Sequence, residues 1–248
     1  MLKVLNYFVF IVLLGCSAAS TAEQTLKVGV GNFPPFFIEE GKKGIFIEII
    51  DEIFKQLPQY KVEYIFMSNH RILHEINYGQ SIDVACNIFP SSELKAHLSE
   101  PIFRYIDVAI SKKSADLKIS STADLQGKHI AAYQGATEML GNDFKQMAKN
   151  NANYSEHAHP NETTLLMLSG KKDIRVGDLN IFWYDLSHKY YSKQENLTPD
   201  EFNIHYLWPN LYSHMAFKDP QLKNEVDDVI KTLKLNGTIE KIYAKYNI

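Results

Sequence analysis

GVGNFPPFFI, from Gly29 to Ile38, ends a short apolar run and then sets three phenylalanines around two prolines. The run Leu26 to Val30 reads as a strand. Pro34 and Pro35 forbid helix and disfavour a central strand, so a turn or loop follows it. Loops lie at the surface and are usually polar. Three large rings in such a place either plug the core from above or form a wall that something else covers.

The choice depends on what surrounds the turn. Apolar runs of strand length alternate with amphipathic runs of helix length along the chain. IFIEIIDEIFKQL (45–57) reads as a helix, KVEYIF (61–66) as a strand, RILHEINYG (71–79) as a helix ending at glycine, and IDVACNI (82–88) as a strand. YIDVAIS (105–111) and HIAAY (129–133) read as strands around a short capped turn, STADLQG (121–127), and TEMLGNDFKQMAK (137–149) as one helix. TTLLMLSG (163–170), DIRVGD (173–178) and NIFWYDLSHKYY (180–191) repeat the rhythm, and the chain closes with a strand at MAFK (215–218) and helices at 219–233 and 238–246. Such alternation implies an α/β architecture with largely parallel sheets. Ligands of open α/β sheets bind beyond the carboxyl ends of the strands. Phe33, Asn87 with Phe89, Gln134 with Gly135, and Asp178 all follow or end predicted strands. The rings are therefore expected to form one wall of a cleft.

Composition bounds the reading. The 248 residues suffice for one large domain or two small ones, and 45% hydrophobic with 22% charged residues is ordinary for a globular protein. The 26 basic and 29 acidic residues leave a net charge of -3, which argues against a nucleic-acid partner. Residues 1–22 have the layout of a secretory signal peptide: Lys3, an apolar run from Val4 to Leu14, then small residues ending at Ala22. Leu13-Leu14-Gly15-Cys16 also resembles a lipoprotein box, which makes Cys16 a possible lipidated terminus; either way export is expected. Cys86 is then the single cysteine of the mature chain, expected to be a buried thiol.

A set of motifs in order resembles the family 3 periplasmic solute-binding proteins. They are FPPF at 33–36, GIFIEIIDEIF at 44–54, GQSIDV at 79–84, LSEPI at 98–102, LQGKHIAAYQGAT at 125–137, GKKDIRVGD at 170–178 and LKLNGTIEKIYAKY at 233–246. The resemblance spans nearly all of the mature chain. It implies the two-lobed type 2 fold, with a ligand cleft between the lobes and two hinge crossovers near residues 110 and 212. Residues 23–110 and 213–248 would form lobe 1, and residues 111–212 lobe 2. It further implies a monomer in the periplasm that closes on a small polar solute and presents it to an inner-membrane ABC permease, with no cofactor.

The resemblance also distributes roles. Asp178 matches the acid that accepts the α-ammonium in amino-acid binders, although Asp before LNIFWYDL is equally a good helix cap. Gln134, Gly135 and Thr137 match a loop whose backbone N–H groups approach a ligand anion, with Thr137 alternatively a cap and Ala136 standing where many members have threonine. Phe33 matches a ring that stacks on ligand; Phe36 and Phe37 divide between cleft and core, and Tyr133 and Trp183 lie near strand ends. Glu48 matches an acid of the family signature, while Phe46 replaces a second.

The main departure falls in residues 86–101, where amino-acid binders carry an arginine for the ligand carboxylate. Ser91, Ser92, Glu93 and Leu94 occupy that region, and Lys95 cannot reproduce the planar fork. The expected ligand therefore tilts towards an amine or a dipolar molecule held differently. Arg71 is a candidate replacement clamp; Arg104 is expected on the surface near the hinge, and Arg175, in a predicted buried strand, must pair or point outward. His157 with His159, and His70 with His74, lack further ligands for a metal site, so no metal is expected. Two alternatives remain in view. One is a cleft enzyme drawing an acid/base pair from Glu48, Glu138, Glu162 and Asp178. The other is a sensor that reports ligand to a membrane partner.

Overall fold

The computed structural model describes residues 23–187 and 197–246. The leader, Cys16, and the part of the 180–191 segment beyond Ser187 lie outside them. Two mixed sheets carry the fold. The first contains β1 (Gln24–Val30), β2 (Tyr60–Phe66), β3 (Val84–Ile88), β4 (His97–Leu98), β5 (Phe103–Tyr105) and a late strand, Leu211–Phe217, in the order β2-β1-β3-(211–217)-β4, with β5 also on the late strand. The second contains β6 (Asp107–Lys112), β7 (Ile130–Tyr133), β8 (Tyr154–His157), β9 (Ile174–Asp178) and β10 (Phe202–His205), in the order β10-β6-β9-β7-β8; the late strand is thus β11. Strands β1, β2 and β3 run parallel, as do β7, β8 and β9, while β6, β10 and β11 pair antiparallel.

The chain leaves the first sheet at Tyr105 and enters the second at Asp107; it leaves the second at His205 and re-enters the first at Leu211. The divisions expected at 110/111 and 212/213 thus fall inside β6 and β11. Antiparallel pairing extends both strands past the residues that looked like connectors.

Amphipathic helices cover both faces of each sheet. α1 (Ile45–Lys55) buries Ile45, Phe46, Ile49, Ile50, Ile53 and Phe54 against β1 and β3. α2 (Asn69–Asn77) covers the opposite face with Ile72 and Ile76. In the second sheet Ala132, Ile174 and Val176 meet Phe144 and Met147, and Val108 and Ile110 meet Met167 and Phe182 on the other face. Each fully buried side chain of this size contributes about 1.5–3 kcal/mol.

The stretch expected to be one helix at 137–149 is two, α3 (Ala136–Met139) and α4 (Asn142–Lys149), because Gly141 takes φ 88° and breaks the ladder. α5 (Pro160–Leu168) and α6 (Leu179–Ser187) flank β9, and α7 (Pro220–Leu235) and α8 (Thr238–Ala244) pack back on α1. β8 and β10 are edge strands that the sequence reading passed over. β11 begins four residues before MAFK. Cys86 is buried, and burial pushes its thiol far above the ordinary range. No helix among the described residues is long and apolar enough to cross a membrane.

Candidate functional site

The carboxyl ends of β1, β3, β7 and β9 converge on a cavity of about 520 Å³ lined from both sheets. That volume is typical of a small-molecule site. Phe33, Asn87, Tyr133, Gln134 and Asp178 all line it.

The opening turn divides its rings. Phe36 and Phe37 are wholly buried, with Phe36 4.4 Å from Phe46 and 4.9 Å from Tyr105 between ring centres. Phe33 alone faces the cavity, resting on Phe36 at 5.9 Å and Phe37 at 5.3 Å. The expectation that Phe36 meets ligand is corrected: its ring is wholly buried against Phe46 and Tyr105. The turn also serves α1, since the Pro35 and Phe36 carbonyls accept from the N–H groups of Ile45 and Phe46. Both the plug and the wall readings hold, for different rings.

Asp178 ends β9 with a side chain only 4% exposed. Its Oδ1 accepts from Ile181 N–H at 3.0 Å, the capping role, and its Oδ2 from Ile106 N–H at 2.7 Å, at the crossing between the sheets. Asp107 is its direct antiparallel partner, so both side chains leave the same face with Cβ atoms about 5 Å apart. The Asp107 Oδ2 accepts from the Tyr133 hydroxyl at 3.2 Å, its one side-chain hydrogen bond among the described residues. Burial, reinforced by the Asp178 charge, pushes the Asp107 carboxyl up to about 7 despite Tyr133 and Arg175. Burial likewise raises Asp178 to about 6, against the backbone donors and Arg175.

Arg175 pairs and is buried, 1% exposed. Its Nε donates to Thr164 Oγ1 at 3.1 Å and its Nη1 to the Asp178 carbonyl at 3.1 Å, with the guanidinium 5.5 Å from the centre of the Phe182 ring. It is the one basic side chain lining the cavity among the described residues.

Several expected contacts lie elsewhere. Arg71 does not line the cavity; its side chain is 64% exposed and sits 3.9 Å from Glu75 across one helical turn. Trp183 packs against Phe182 at 4.9 Å in the helix-covered core of the second sheet. Gly135 and Thr137 are turned to a protein carboxylate: Glu156 accepts from Gly135 N–H at 2.8 Å, Thr137 N–H at 3.1 Å, the Thr137 hydroxyl at 3.0 Å and the Tyr154 hydroxyl at 2.8 Å. Partial burial works to raise the Glu156 carboxyl, but these donors hold it below the ordinary range. Arg104 grips Glu240 with two bonds, at 2.8 and 3.0 Å, away from the cavity.

The four acids considered for an acid/base pair are dispersed. Glu48 binds Lys245 and Tyr246, Glu138 binds Lys145, Glu162 lies beside His157, and only Asp178 reaches the cavity. Sequence reasoning missed Asp107, Tyr105 and Met139 in the lining and Glu156 behind it. For Asp107 a signal existed: an acid heading the apolar run VAI, whose three residues are fully buried.

Known proteins resemble this chain in sequence and in fold. The profile of bacterial extracellular solute-binding proteins, family 3, matches residues 26–248. The L-cystine-binding protein TcyJ of Bacillus subtilis (strain 168) is 27% identical, over 94% of this chain and 88% of its own. An ancestral arginine-binding protein bound to glutamine is 27% identical with TM-score 0.61, covering 90% of this chain and 97% of that one. The GluR0 ligand-binding core in complex with L-glutamate superposes with TM-score 0.69 at 15% identity, over 90% and 98%, a likeness of fold.

Proposed function

The chain belongs to the bacterial extracellular solute-binding proteins, family 3, and on that premise we propose that its cleft closes on a small amine-bearing solute through Asp107, Asp178 and the Phe33 ring. The observation that carries this reading is the pair of buried carboxylates facing each other across β6 and β9 at the cavity wall. A cation placed there makes charge-assisted hydrogen bonds worth roughly 1.5–3 kcal/mol each, and an aromatic face adds about 0.5–2 kcal/mol. The lobes are residues 23–105 with 211–246, and residues 107–187 with 197–205, turning about Ile106 and residues 206–210. TcyJ, by its name, binds L-cystine, a solute that bears amino groups. In this reading the protein works in the periplasm as a monomer and hands its solute to an ABC permease, without catalysis.

Calorimetric titration of the refolded protein with amines, small carboxylates and sugars tests the proposal. Saturable binding selective for amines is expected. Binding confined to sugars or to carboxylates without nitrogen contradicts it.

A further inference from the structure

The chemistry of the cleft walls narrows the solute further, given the receptor reading above. A bound carboxylate needs donors that are free to turn to it. Two backbone donors lie close beside the cavity at Gly135 and Thr137, between the lining residues Gln134 and Met139. Glu156 already fills it, four donors to one carboxylate. Gly135 makes the arrangement possible: at φ 91° it occupies the left-handed region, and its N–H and that of Thr137 point to one place. The chain thus supplies its own anion to these donors.

The guanidinium of Arg175 does not offset this. It bonds Thr164 and the Asp178 carbonyl, and it sits within electrostatic reach of both Asp107 and Asp178. Among the described residues the cavity wall holds two carboxylates and one guanidinium, with no lysine or histidine. A ligand carboxylate entering here loses its hydration and meets two buried acids, whereas an ammonium meets the carboxylates directly. The remaining polar lining, Asn32, Ser68, Asn69, Asn87 and Gln134, is neutral and suits an uncharged or hydroxylated remainder.

We infer that the solute is an amine that carries no carboxylate, and that Glu156, by occupying the Gly135–Thr137 donors, is the residue that sets this preference.

Calorimetric titration of the full refolded chain with three matched pairs tests it: agmatine against arginine, putrescine against ornithine, and cadaverine against lysine. Within each pair only the carboxylate differs. In the pair that fits the cavity, the amine is expected to bind at least about tenfold tighter than its amino acid. Equal or tighter binding of the amino acid overturns the inference while leaving the amine receptor standing. Silence across all three pairs overturns both. Glu156→Gln keeps the shape, removes the charge and turns one accepting oxygen into a donor, so it is expected to lower the melting temperature while narrowing the preference of the folded protein at least about threefold. An unmoved preference in that variant overturns the role given to Glu156.

Discussion

Asp107 is the residue on which the site turns, and its proton makes it measurable. Its folded carboxyl titrates at about 7 against an ordinary value of 3.8. Between those limits the folded chain keeps a proton that the unfolded chain has lost. Stability therefore falls as pH rises through that window and levels off above about 7. Asp178, raised to about 6, acts in the same direction. Urea denaturation of the ligand-free protein from pH 4 to 8 should show this decline. Asp107→Asn should remove the larger part of it, on the order of 2–4 kcal/mol between the two extremes. An identical slope in the variant would contradict the assignment. The same titration controls binding: a cation favours ionised Asp107, so amine affinity should weaken as pH drops below about 7 and hold above it. The groups facing this carboxyl are Asp178 and Arg175 from β9 and Tyr133 from β7.

The residue scale is also where the sequence was least legible. Asp178 stood out because it closes GKKDIRVGD, a stretch that resembles a family motif, and the helix-cap reading stood beside the ligand reading. Asp107 did not, since within YIDVAIS one acid reads as an ordinary polar residue of the strand. That it opposes Asp178 is a matter of antiparallel register set by residues about 70 positions away. Glu156 was hidden in the same way, because its donors lie 19 and 21 residues earlier in the chain.

At the scale of elements, periodicity did most of the work. α1, α7 and α8 were readable because each carries an apolar stripe that one core absorbs. The edge strands β8 and β10 were not, because a strand covered on one side by solvent carries too few apolar residues to signal itself. The FPPFF turn shows how an element is fixed by its neighbour: its carbonyls cap α1, and Gly44 makes the approach possible. A Cβ on Gly44 would lie 2.5 Å from the Phe36 carbonyl oxygen, at φ 125° where side chains are strained. Gly44→Ala is expected to cost about 1–3 kcal/mol or more in urea denaturation. A variant of wild-type stability would mean that the turn and α1 do not meet as described.

At the scale of the whole molecule, two sheets joined at Ile106 and at residues 206–210 leave a cavity whose walls belong to different bodies. Asp178 both lines that cavity and fastens the Ile106 crossing, so in the proposed mechanism one side chain would serve ligand and hinge together. Closure on solute predicts a smaller radius of gyration in small-angle scattering when a binding amine is added, and no change with a non-binding one. A saturated complex with unchanged dimensions would exclude a hinge mechanism.

The claim that the facing carboxylates of Asp107 and Asp178 receive an amine is most directly tested by thermal shift. Refolded wild-type protein and Asp107→Asn would be compared at pH 8, each with and without a binding amine at saturating concentration. A ligand at 100 times its dissociation constant adds roughly 2.7 kcal/mol, a visible rise in melting temperature. The account predicts that rise in the wild type and its near loss in Asp107→Asn, whose ligand-free melting temperature should equal or exceed that of the wild type because a buried charge is gone. An equal rise in both proteins would contradict it.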